Sequence, residues 1–206
     1  MVQRQLVARG IADARVLDAF RQIPRHLFVP DALHHRAYED APLPIGYDQT
    51  ISQPLMIAIM MEALHLQGHE RVLEIGTGSG YETALLSQLA LEVYSVERLP
   101  ELAAAAVRHL EHLGIANVDV DVRDGTLGWP AHAPYDSILV AAGAPRVPEP
   151  LAEQLADEGR LVIPLGDRKQ QTLYRMQRHQ QSLAGERVAE CLFVPLVGQH
   201  GWPTEQ

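Results

Sequence analysis

The feature that most constrains this chain is a short apolar strand that runs directly into three closely spaced glycines. Residues 71–75 read Arg-Val-Leu-Glu-Ile, residues 76–80 read Gly-Thr-Gly-Ser-Gly, and a segment with helical spacing follows. Glycines at such a turn let the backbone approach a bound ligand where any Cβ atom would clash. The strand, loop and helix therefore predict an α/β fold that holds a nucleotide-like cofactor at the loop.

The spacing of the glycines distinguishes between two classes of cofactor. A dinucleotide-binding Gly-x-Gly-x-x-Gly fingerprint would need glycine at position 81, where this chain has Tyr81. The spacing here is Gly-x-Gly-x-Gly, which favours S-adenosylmethionine over a nicotinamide cofactor. The sequence also contains no Tyr-x-x-x-Lys pair, so a nicotinamide-dependent oxidoreductase is disfavoured.

Acidic residues lie near the loop at positions suited to a nucleoside cofactor. Glu97 ends the next predicted strand, 21 residues after Gly76, where a carboxylate can accept hydrogen bonds from ribose hydroxyls. Asp124-Gly125 follows the third strand, where the acid can bond the adenine amino group, and Glu74 can attract the ammonium group of a methionine moiety. Simpler roles stay open: a solvated strand end for Glu97, an Asp-Gly turn, and a carboxylate satisfied by backbone amides for Glu74.

From residue 71 onward, the chain alternates repeatedly between strand-like and helix-like apolar spacing. This alternation predicts a doubly wound, mostly parallel Rossmann-like sheet. The predicted strands are Arg71–Ile75, Glu92–Glu97, Val118–Val122, Ser137–Ala141 and Arg160–Pro164. The predicted helices are Leu55–Leu66, Tyr81–Ala90, Pro100–Leu113 and one opened by Pro148 and Pro150.

The chain has 206 residues, and its two ends differ in character from the core. Residues 1 to about 36 show helical spacing, and a turn-rich loop follows. At the other end, Thr172–Arg178 and Arg187–Pro195 are expected to pair antiparallel, with Gly185 in the turn. We therefore expect a single domain with three parts: a helical N-terminal extension and loop (1–54), a cofactor-binding α/β core (55–166), and a C-terminal strand pair and tail (167–206).

Composition excludes several other classes of function. The 17 Lys and Arg against 26 Asp and Glu give a net charge of −9, which disfavours nucleic acid as a partner because it repels polyanions. The single cysteine, Cys191, cannot form an internal disulfide and is expected to be a small core residue. Signal-peptide and membrane-spanning patterns are absent from the sequence, so we expect a cytoplasmic protein, without membrane contact, and a monomer.

Histidines at helical spacing raise the question of a metal site. The pairs are His34-His35, His65 with His69, and His109 with His112. Since carboxylate or cysteine clusters that would complete a site are missing from the sequence, we expect no metal.

Three segments together resemble the protein-L-isoaspartate O-methyltransferase family. They are residues 72–81 (Val-Leu-Glu-Ile-Gly-Thr-Gly-Ser-Gly-Tyr), 43–54 (Leu-Pro-Ile-Gly-Tyr-Asp-Gln-Thr-Ile-Ser-Gln-Pro) and 193–196 (Phe-Val-Pro-Leu). Supporting segments in the family's order are residues 23–30, 37–40, 94–97, 124–125 and 159–166. The Thr-Ile-Ser-Gln-Pro run at 50–54 is the specific part, because many methyltransferases share the glycine loop.

This resemblance implies that the sheet is of the class I S-adenosylmethionine-dependent methyltransferase type. It also implies methyl transfer from S-adenosylmethionine to the free α-carboxylate of isoaspartyl residues in damaged proteins and peptides, followed by collapse of the ester to a succinimide. By analogy, Ser52 is the active-site serine of the 1–54 segment. The resemblance adds cofactor-binding residues to the glycine loop and the acids described above. The full set is Thr50, Ile51, Ser52, Glu74, Gly76, Thr77, Gly78, Ser79, Gly80, Glu97, Arg98, Asp124 and Gly125.

The resemblance leaves several points open. Ser52 would orient the substrate carboxylate by hydrogen bonding, but it is also placed to cap the helix that follows Pro54. The chain departs from the family at Asp48, where glycine is common, and at Glu82, where glutamine is common.

Two further functions remain as alternatives. A methyltransferase acting on a base or amide nitrogen would usually carry a Pro-Pro-aromatic motif after the fourth strand, but residues 139–145 read Leu-Val-Ala-Ala-Gly-Ala-Pro. A non-catalytic protein that binds S-adenosylmethionine would keep every feature described above.

Overall fold

The computed structural model describes residues 1–180 and 182–203 of the chain. Its strands are β1 (Leu43–Gly46), β2 (Gln49–Ile51), β3 (Arg71–Ile75), β4 (Glu92–Glu97), β5 (Val118–Val122), β6 (Tyr135–Val140), β7 (Leu155–Gly166), β8 (Gln171–His179) and β9 (Ser182–Cys191). Its α-helices are α1 (Ala14–Gln22), α2 (Pro54–Leu64), α3 (Tyr81–Ser87), α4 (Pro100–His112) and α5 (Glu149–Gln154). Short π or 3₁₀ turns cover Val2–Leu6, Val7–Arg9, Arg25–Phe28, Asp31–Arg36, Gly125–Leu127 and Pro130–His132.

A seven-stranded sheet in the order β5-β4-β3-β6-β7-β8-β9 forms the centre of the molecule. The pairs from β5 to β7 are parallel, whereas β7, β8 and β9 pair antiparallel. A separate antiparallel hairpin joins β1 and β2. The doubly wound, mostly parallel sheet with an antiparallel C-terminal pair that the sequence predicts is therefore confirmed.

Strand β3 lies at the point where the chain changes direction across the sheet. The chain moves outward from β3 to β4 and β5, and then returns to place β6 on the other side of β3. Hydrogen bonds of the sheet continue past the strand ends, from Gly76 N to Val96 O and from Ala141 N to Ile75 O, both at 2.8 Å. A crevice at the carboxyl ends of parallel strands, beside such a switch point, is where α/β sheets bind ligands.

Apolar residues cover both faces of the sheet because side chains alternate along each strand. Val72 packs on the face covered by the N-terminal segments, α2 and α3, whereas its neighbour Leu73 packs on the opposite face with residues of β4, β6 and α5. Both side chains are fully buried. The helical N-terminal extension thus completes the core on one face of the sheet.

Local chemistry sets several helix boundaries. Asp13 caps α1 by accepting hydrogen bonds from the backbone amides of Arg15 and Val16, and α1 ends at Gln22, just before the Ile23-Pro24 pair that the sequence predicts as a break. Helices α2 and α4 both start with proline, which fits the first turn because its missing N–H would have no intrahelical partner there.

The C-terminal meander differs from the sequence prediction. The last strand spans Ser182–Cys191 instead of Arg187–Pro195, and Gly185, predicted to lie in the turn, is paired with Met176 inside the sheet. A Cβ atom at position 185 would lie 2.1 Å from Met176 Sδ, so the glycine leaves room for a large neighbour on the facing strand. The turn prediction was wrong because this glycine serves packing.

The β1–β2 hairpin explains one departure from the family pattern. Tyr47 and Asp48 have φ angles of 53° and 55°, in the left-handed region that glycine adopts without strain and that aspartate tolerates better than most residues. Asp48 therefore keeps the turn that a glycine would make.

Helix α2 is not capped by Ser52. Gln53 is its N-cap residue, and the Asp40 carboxylate accepts hydrogen bonds from Leu55 N at 3.0 Å and from Gln53 Nε2 at 2.8 Å. The alternative role of Ser52 as the helix cap is therefore wrong. Asp40, which lies earlier in the chain, supplies the cap of α2 and anchors the loop that carries Ser52.

We expect Asp40→Ala to lower the free energy of unfolding by about 1–2 kcal/mol, the usual cost of losing a cap. Asp40→Asn, which keeps an acceptor oxygen for Leu55 N, should lose less. Denaturant unfolding of the three proteins checks this. Equal stability of Asp40→Ala and the unaltered protein would contradict the capping role.

Candidate active site

A cleft of about 750 Å³ opens at the carboxyl ends of the parallel strands. The residues that line it are 49–52, Ile57, 75–79, Tyr81, Glu82, 96–98, Gly125, Ala141, Ala142 and 194–197. Those that the sequence had singled out are Thr50, Ile51, Ser52, Gly76, Thr77, Gly78, Ser79, Glu97, Arg98 and Gly125. Residues from distant parts of the chain thus meet around one cavity.

Glu97 lies at the end of β4 with its carboxylate held by two backbone amides. Oε2 accepts a hydrogen bond from Gly78 N at 2.9 Å, and Oε1 accepts one from Leu99 N at 3.0 Å. Each carboxylate oxygen has a second lone pair, and Glu97 lines the cavity. The carboxylate is therefore fixed in place and can still accept hydrogen bonds from a ligand's hydroxyl groups.

The predicted glycines have two different roles. A Cβ atom at Gly125 would lie 2.5 Å from Ile75 Cγ2, so glycine is required on this wall of the cleft. Gly80 lies outside the cleft lining in the described chain, and a Cβ there would approach Ala106 Cα at 3.2 Å. The third glycine of the loop therefore allows α3 to begin close against α4.

Glu74 is placed behind the cleft and is outside its lining as far as the structure describes it. Its side chain is fully buried, and Oε2 accepts hydrogen bonds of 2.5 Å from both Thr83 Oγ1 and Ser95 Oγ. Burial raises the pKa of Glu74 to about 7. Ser95 in turn bonds Thr77 Oγ1 at 2.6 Å, and Thr77 does line the cleft. Glu74 thus reaches the cavity only through hydroxyl groups, and its predicted contact with a cofactor stays a prediction.

Asp124 also lies outside the lining of the cleft within the described residues. Its Oδ1 accepts hydrogen bonds from Thr126 N and Oγ1, and its Oδ2 accepts one from Gln199 N at 2.8 Å. Burial raises the pKa of Asp124, but these hydrogen bonds outweigh burial and hold it below its ordinary value. The carboxylate joins the turn after β5 to the C-terminal segment, so its predicted adenine contact stays a prediction.

Ser52 is half-buried and is held through its backbone by Arg25. The Arg25 guanidinium is fully buried, with Nη2 donating to Ser52 O and Nε donating to Ala37 O, both at 2.8 Å. Its plane lies over the Tyr81 ring, 4.9 Å from the ring centroid. Sequence reasoning missed Arg25, although it stands in the segment 23–30 that contributed to the family resemblance.

The C-terminal segment forms a wall of the cleft that sequence reasoning also missed. Gly143 N donates to Val194 O and Leu196 N donates to Gly143 O, both at 2.8 Å. These bonds bring residues 194–197 beside the end of β6. The Phe-Val-Pro-Leu run at 193–196 was a visible signal, but a sequence does not show which strand end such a run contacts.

A second cavity of about 580 Å³ adjoins the first. The residues that both cavities share are Thr50, Ser52, Ala141 and Val194. The others that line the second cavity are Pro42, Gln53, Met56 and 190–193. Ser52 therefore stands between two spaces, of which only the first contains the glycine loop.

Two findings concern metal and membrane. Over residues 1–180 and 182–203, groups of three or more His, Cys, Asp and Glu arranged to hold a metal ion are absent. In the same residues, no helix has the length and apolar character to cross a membrane. Cys191 is half-buried beside the second cavity, and burial raises the pKa of its thiol to about 11.

Comparison with known proteins identifies the family. The family model of protein-L-isoaspartate(D-aspartate) O-methyltransferase matches residues 1–201 of this chain. The chain belongs to this family. It is 54% identical over 202 residues to protein-L-isoaspartate O-methyltransferase 1 of Syntrophobacter fumaroxidans, covering 98% of this chain and 94% of the relative. It is 53% identical over 207 residues to protein-L-isoaspartate O-methyltransferase of Geobacter metallireducens, covering 100% and 96%.

Two solved structures share this fold, and the first of them also agrees with the family assignment. A protein-L-isoaspartate O-methyltransferase superposes with a TM-score of 0.88 at 33% identity, over 98% of this chain and 67% of that one. A candidate member from Plasmodium falciparum, solved in complex with S-adenosyl-L-homocysteine, has a TM-score of 0.81 at 24% identity, over 94% and 95% of the two chains. The resemblance derived from the sequence is therefore confirmed.

The raised pKa of Glu74 makes folding depend on pH. Between the ordinary value of 4.5 and about 7, the folded state holds a proton that the unfolded state releases, so stability falls as pH rises. We expect this loss to reach about 3 kcal/mol. Glu74→Gln, which keeps an acceptor for Thr83 and Ser95, should remove it.

Denaturant unfolding between about pH 4 and about pH 8 checks this expectation. The gap in unfolding free energy between Glu74→Gln and the unaltered chain should widen as pH rises. Glu101→Gln, at an exposed position of α4, controls for loss of one carboxylate. Parallel stability curves for Glu74→Gln and the unaltered chain would refute the assignment.

Proposed function

We propose that this chain methylates the free α-carboxylate of L-isoaspartyl residues in damaged proteins and peptides, with S-adenosylmethionine as the methyl donor. The resulting ester collapses to a succinimide, which begins repair. The observation that carries the proposal is the position of Ser52 on the wall shared by two cavities, one of which contains the glycine loop and Glu97. Membership of the family supplies the reaction class.

The residues of the first cavity fit the proposed donor. Gly125 lines this cavity and avoids the clash that a Cβ atom would make with Ile75, and the fixed Glu97 carboxylate retains lone pairs for ribose hydroxyl groups. The Plasmodium falciparum structure with the same fold contains S-adenosyl-L-homocysteine, the product of the donor. When bound, S-adenosylmethionine supplies an electrophilic methyl group on a sulfonium centre.

The acceptor needs no general base in this chain. An α-carboxyl group has an ordinary pKa of about 3.5, so it is already ionised at neutral pH. The protein therefore contributes chiefly by placing the reacting groups in line. Correct placement supplies on the order of 7 to 11 kcal/mol of a reaction barrier.

Ser52 is the residue we assign to this placement. Its hydroxyl donates a hydrogen bond to the acceptor carboxylate, and Arg25 holds its backbone through the 2.8 Å bond to Ser52 O. Apolar side chains around it, Ile51, Ile57 and Leu196, are buried and line the same cleft. They exclude water from the reacting carboxylate.

The second cavity is the space we assign to the acceptor peptide. It shares Thr50 and Ser52 with the first cavity, to which we assign the methyl donor. The two reactants therefore reach Ser52 from different sides. Its walls combine apolar Met56 and Phe193 with polar Gln53. This mixture offers apolar contacts for side chains and a hydrogen-bonding amide for the backbone of a peptide.

We also propose that the chain acts as a cytoplasmic monomer, without nucleic-acid or membrane partners. The single cysteine agrees with a reducing compartment. The net charge of −9 disfavours association with polyanions.

The decisive experiment is transfer of labelled methyl groups to two synthetic peptides that differ only in isoaspartate versus aspartate. We expect base-labile label on the isoaspartyl peptide alone, as an ester requires. Binding of S-adenosyl-L-homocysteine is measured in parallel by calorimetry. Binding without transfer would point to another acceptor or to a non-catalytic protein, and would refute the proposed acceptor.

Ser52→Ala is expected to lower kcat/KM for the isoaspartyl peptide by roughly 10- to 100-fold, because a hydrogen bond to a charged group contributes about 1.5–3 kcal/mol. Binding of S-adenosyl-L-homocysteine should change little. Ser182→Ala, at an exposed position of β9, serves as the control. Unchanged methyl transfer in Ser52→Ala would show that its hydroxyl does not orient the acceptor.

A further inference from the structure

One buried acid in the first cavity, to which we assign the methyl donor, has no role in the mechanism described above. Glu82 is the second residue of α3, lines the cleft and is 7% exposed. Among the residues that the structure describes, its Oε1 has no hydrogen-bond partner. A buried polar atom without a partner costs free energy, which a ligand in the cavity would recover.

Three ionisable groups face the Glu82 carboxyl. Glu74 approaches it from β3, Arg25 from the N-terminal extension, and Tyr81 from the same helix. Burial raises the pKa of Glu82 well above its ordinary value, the Glu74 carboxyl raises it further, and Arg25 opposes both. Burial and Glu74 therefore favour the uncharged acid of Glu82, which has an O–H group to donate.

Arg25 does not neutralise this carboxyl through a hydrogen bond. Its Nε and Nη2 donate to backbone carbonyl groups, and the Tyr81 hydroxyl also interacts with the guanidinium. Its Nη1, like Glu82 Oε1, has no hydrogen-bond partner of regular geometry in the described part of the chain. Asp40 is the other acid near Arg25, but the Asp40 carboxylate is bonded to Gln53 and Leu55. The positive charge of Arg25 thus lies beside the uncharged carboxyl group of Glu82, which can donate a hydrogen bond. This combination favours the binding of an anion.

The proposed methyl donor, S-adenosylmethionine, carries an anionic group, the carboxylate of its amino-acid end. Glu97 and Gly125 follow β4 and β5, and these residues suit the nucleoside part. Glu82 lies toward the N-terminal extension, where Arg25 holds Ser52. The amino-acid part of the donor carries the carboxylate that an uncharged Glu82 can bond.

We propose that Glu82 is a binding residue that donates a hydrogen bond from its carboxyl group to the α-carboxylate of the donor's amino-acid end. This inference rests on the proposed use of S-adenosylmethionine. The opposite arrangement, in which an ionised Glu82 accepts from the donor's ammonium group, predicts the opposite dependence of affinity on pH.

Calorimetric titration with S-adenosyl-L-homocysteine between about pH 6 and about pH 9 tests the proposal. For the unaltered chain, affinity should fall as pH rises and Glu82 loses its proton, by up to about tenfold per pH unit. Glu82→Gln keeps a donor without titrating, so this fall should disappear. Glu82→Leu should bind about tenfold more weakly at the acid end of the range.

Two variants separate this effect from others. Glu97→Ala should weaken binding but retain the fall of affinity with pH, because the residue acts on the nucleoside part. Glu101→Gln, on the exposed face of α4, should match the unaltered chain. Thermal unfolding of each variant shows whether it is folded, and Glu82→Gln keeps the test informative if Glu82→Leu fails to fold.

Three results would overturn the proposal. Affinity that rises with pH in the unaltered chain but not in Glu82→Gln would assign Glu82 to the ammonium group. Equal affinity of Glu82→Leu and the unaltered chain would remove Glu82 from binding. Failure of the unaltered chain to bind would refute the proposed donor and this inference together. Binding with the expected pH dependence but without methylation of an isoaspartyl peptide would refute only the proposed acceptor.

Discussion

The hydrogen bonds that join β3 to β4 and β6 are the constraint on which the site depends. They place the carboxyl ends of three parallel strands side by side and continue into the loops through Gly76 and Ala141. Parallel strands need long connections, so each loop at this edge starts a helix or turn that can face a ligand. The glycine loop, Glu97 and Gly125 are close together for this reason, although they are far apart in the chain.

The second constraint is the burial of charge beneath the loop that carries Ser52. Arg25, Glu74 and Glu82 are all almost completely buried, and burial of isolated charges is costly. The structure accommodates Arg25 with backbone carbonyl groups and the face of Tyr81, and it holds the two acids toward their uncharged forms. The N-terminal extension is thereby joined to the cofactor-binding core at the site itself.

Sequence reasoning succeeded where the signal is local. The bounds of β3, β4 and β5 agree with the predicted ones because each strand is a short run with turns at both ends. β3 and β4 are largely buried, whereas β5 alternates valine with aspartate and stays partly exposed. It failed where a residue's partner is remote. Gly185 resembles a turn residue but faces Met176, and Ser52 resembles a helix cap, although Asp40 supplies the cap. Asp124 has the expected position after β5 and also accepts a hydrogen bond from Gln199 N in the C-terminal segment, so its adenine contact stays a prediction.

The glycine spacing, the acid at the end of β4 and the Thr-Ile-Ser-Gln-Pro segment were sufficient to predict the fold class and the family, because each is a run of neighbouring residues whose geometry is local. Tertiary packing alone placed Arg25 under Ser52, closed the cleft with residues 194–197, and left Glu82 buried within it without a partner in the described chain. Such contacts depend on which surfaces meet after folding, and burial, not residue type, sets the charge state of an acid.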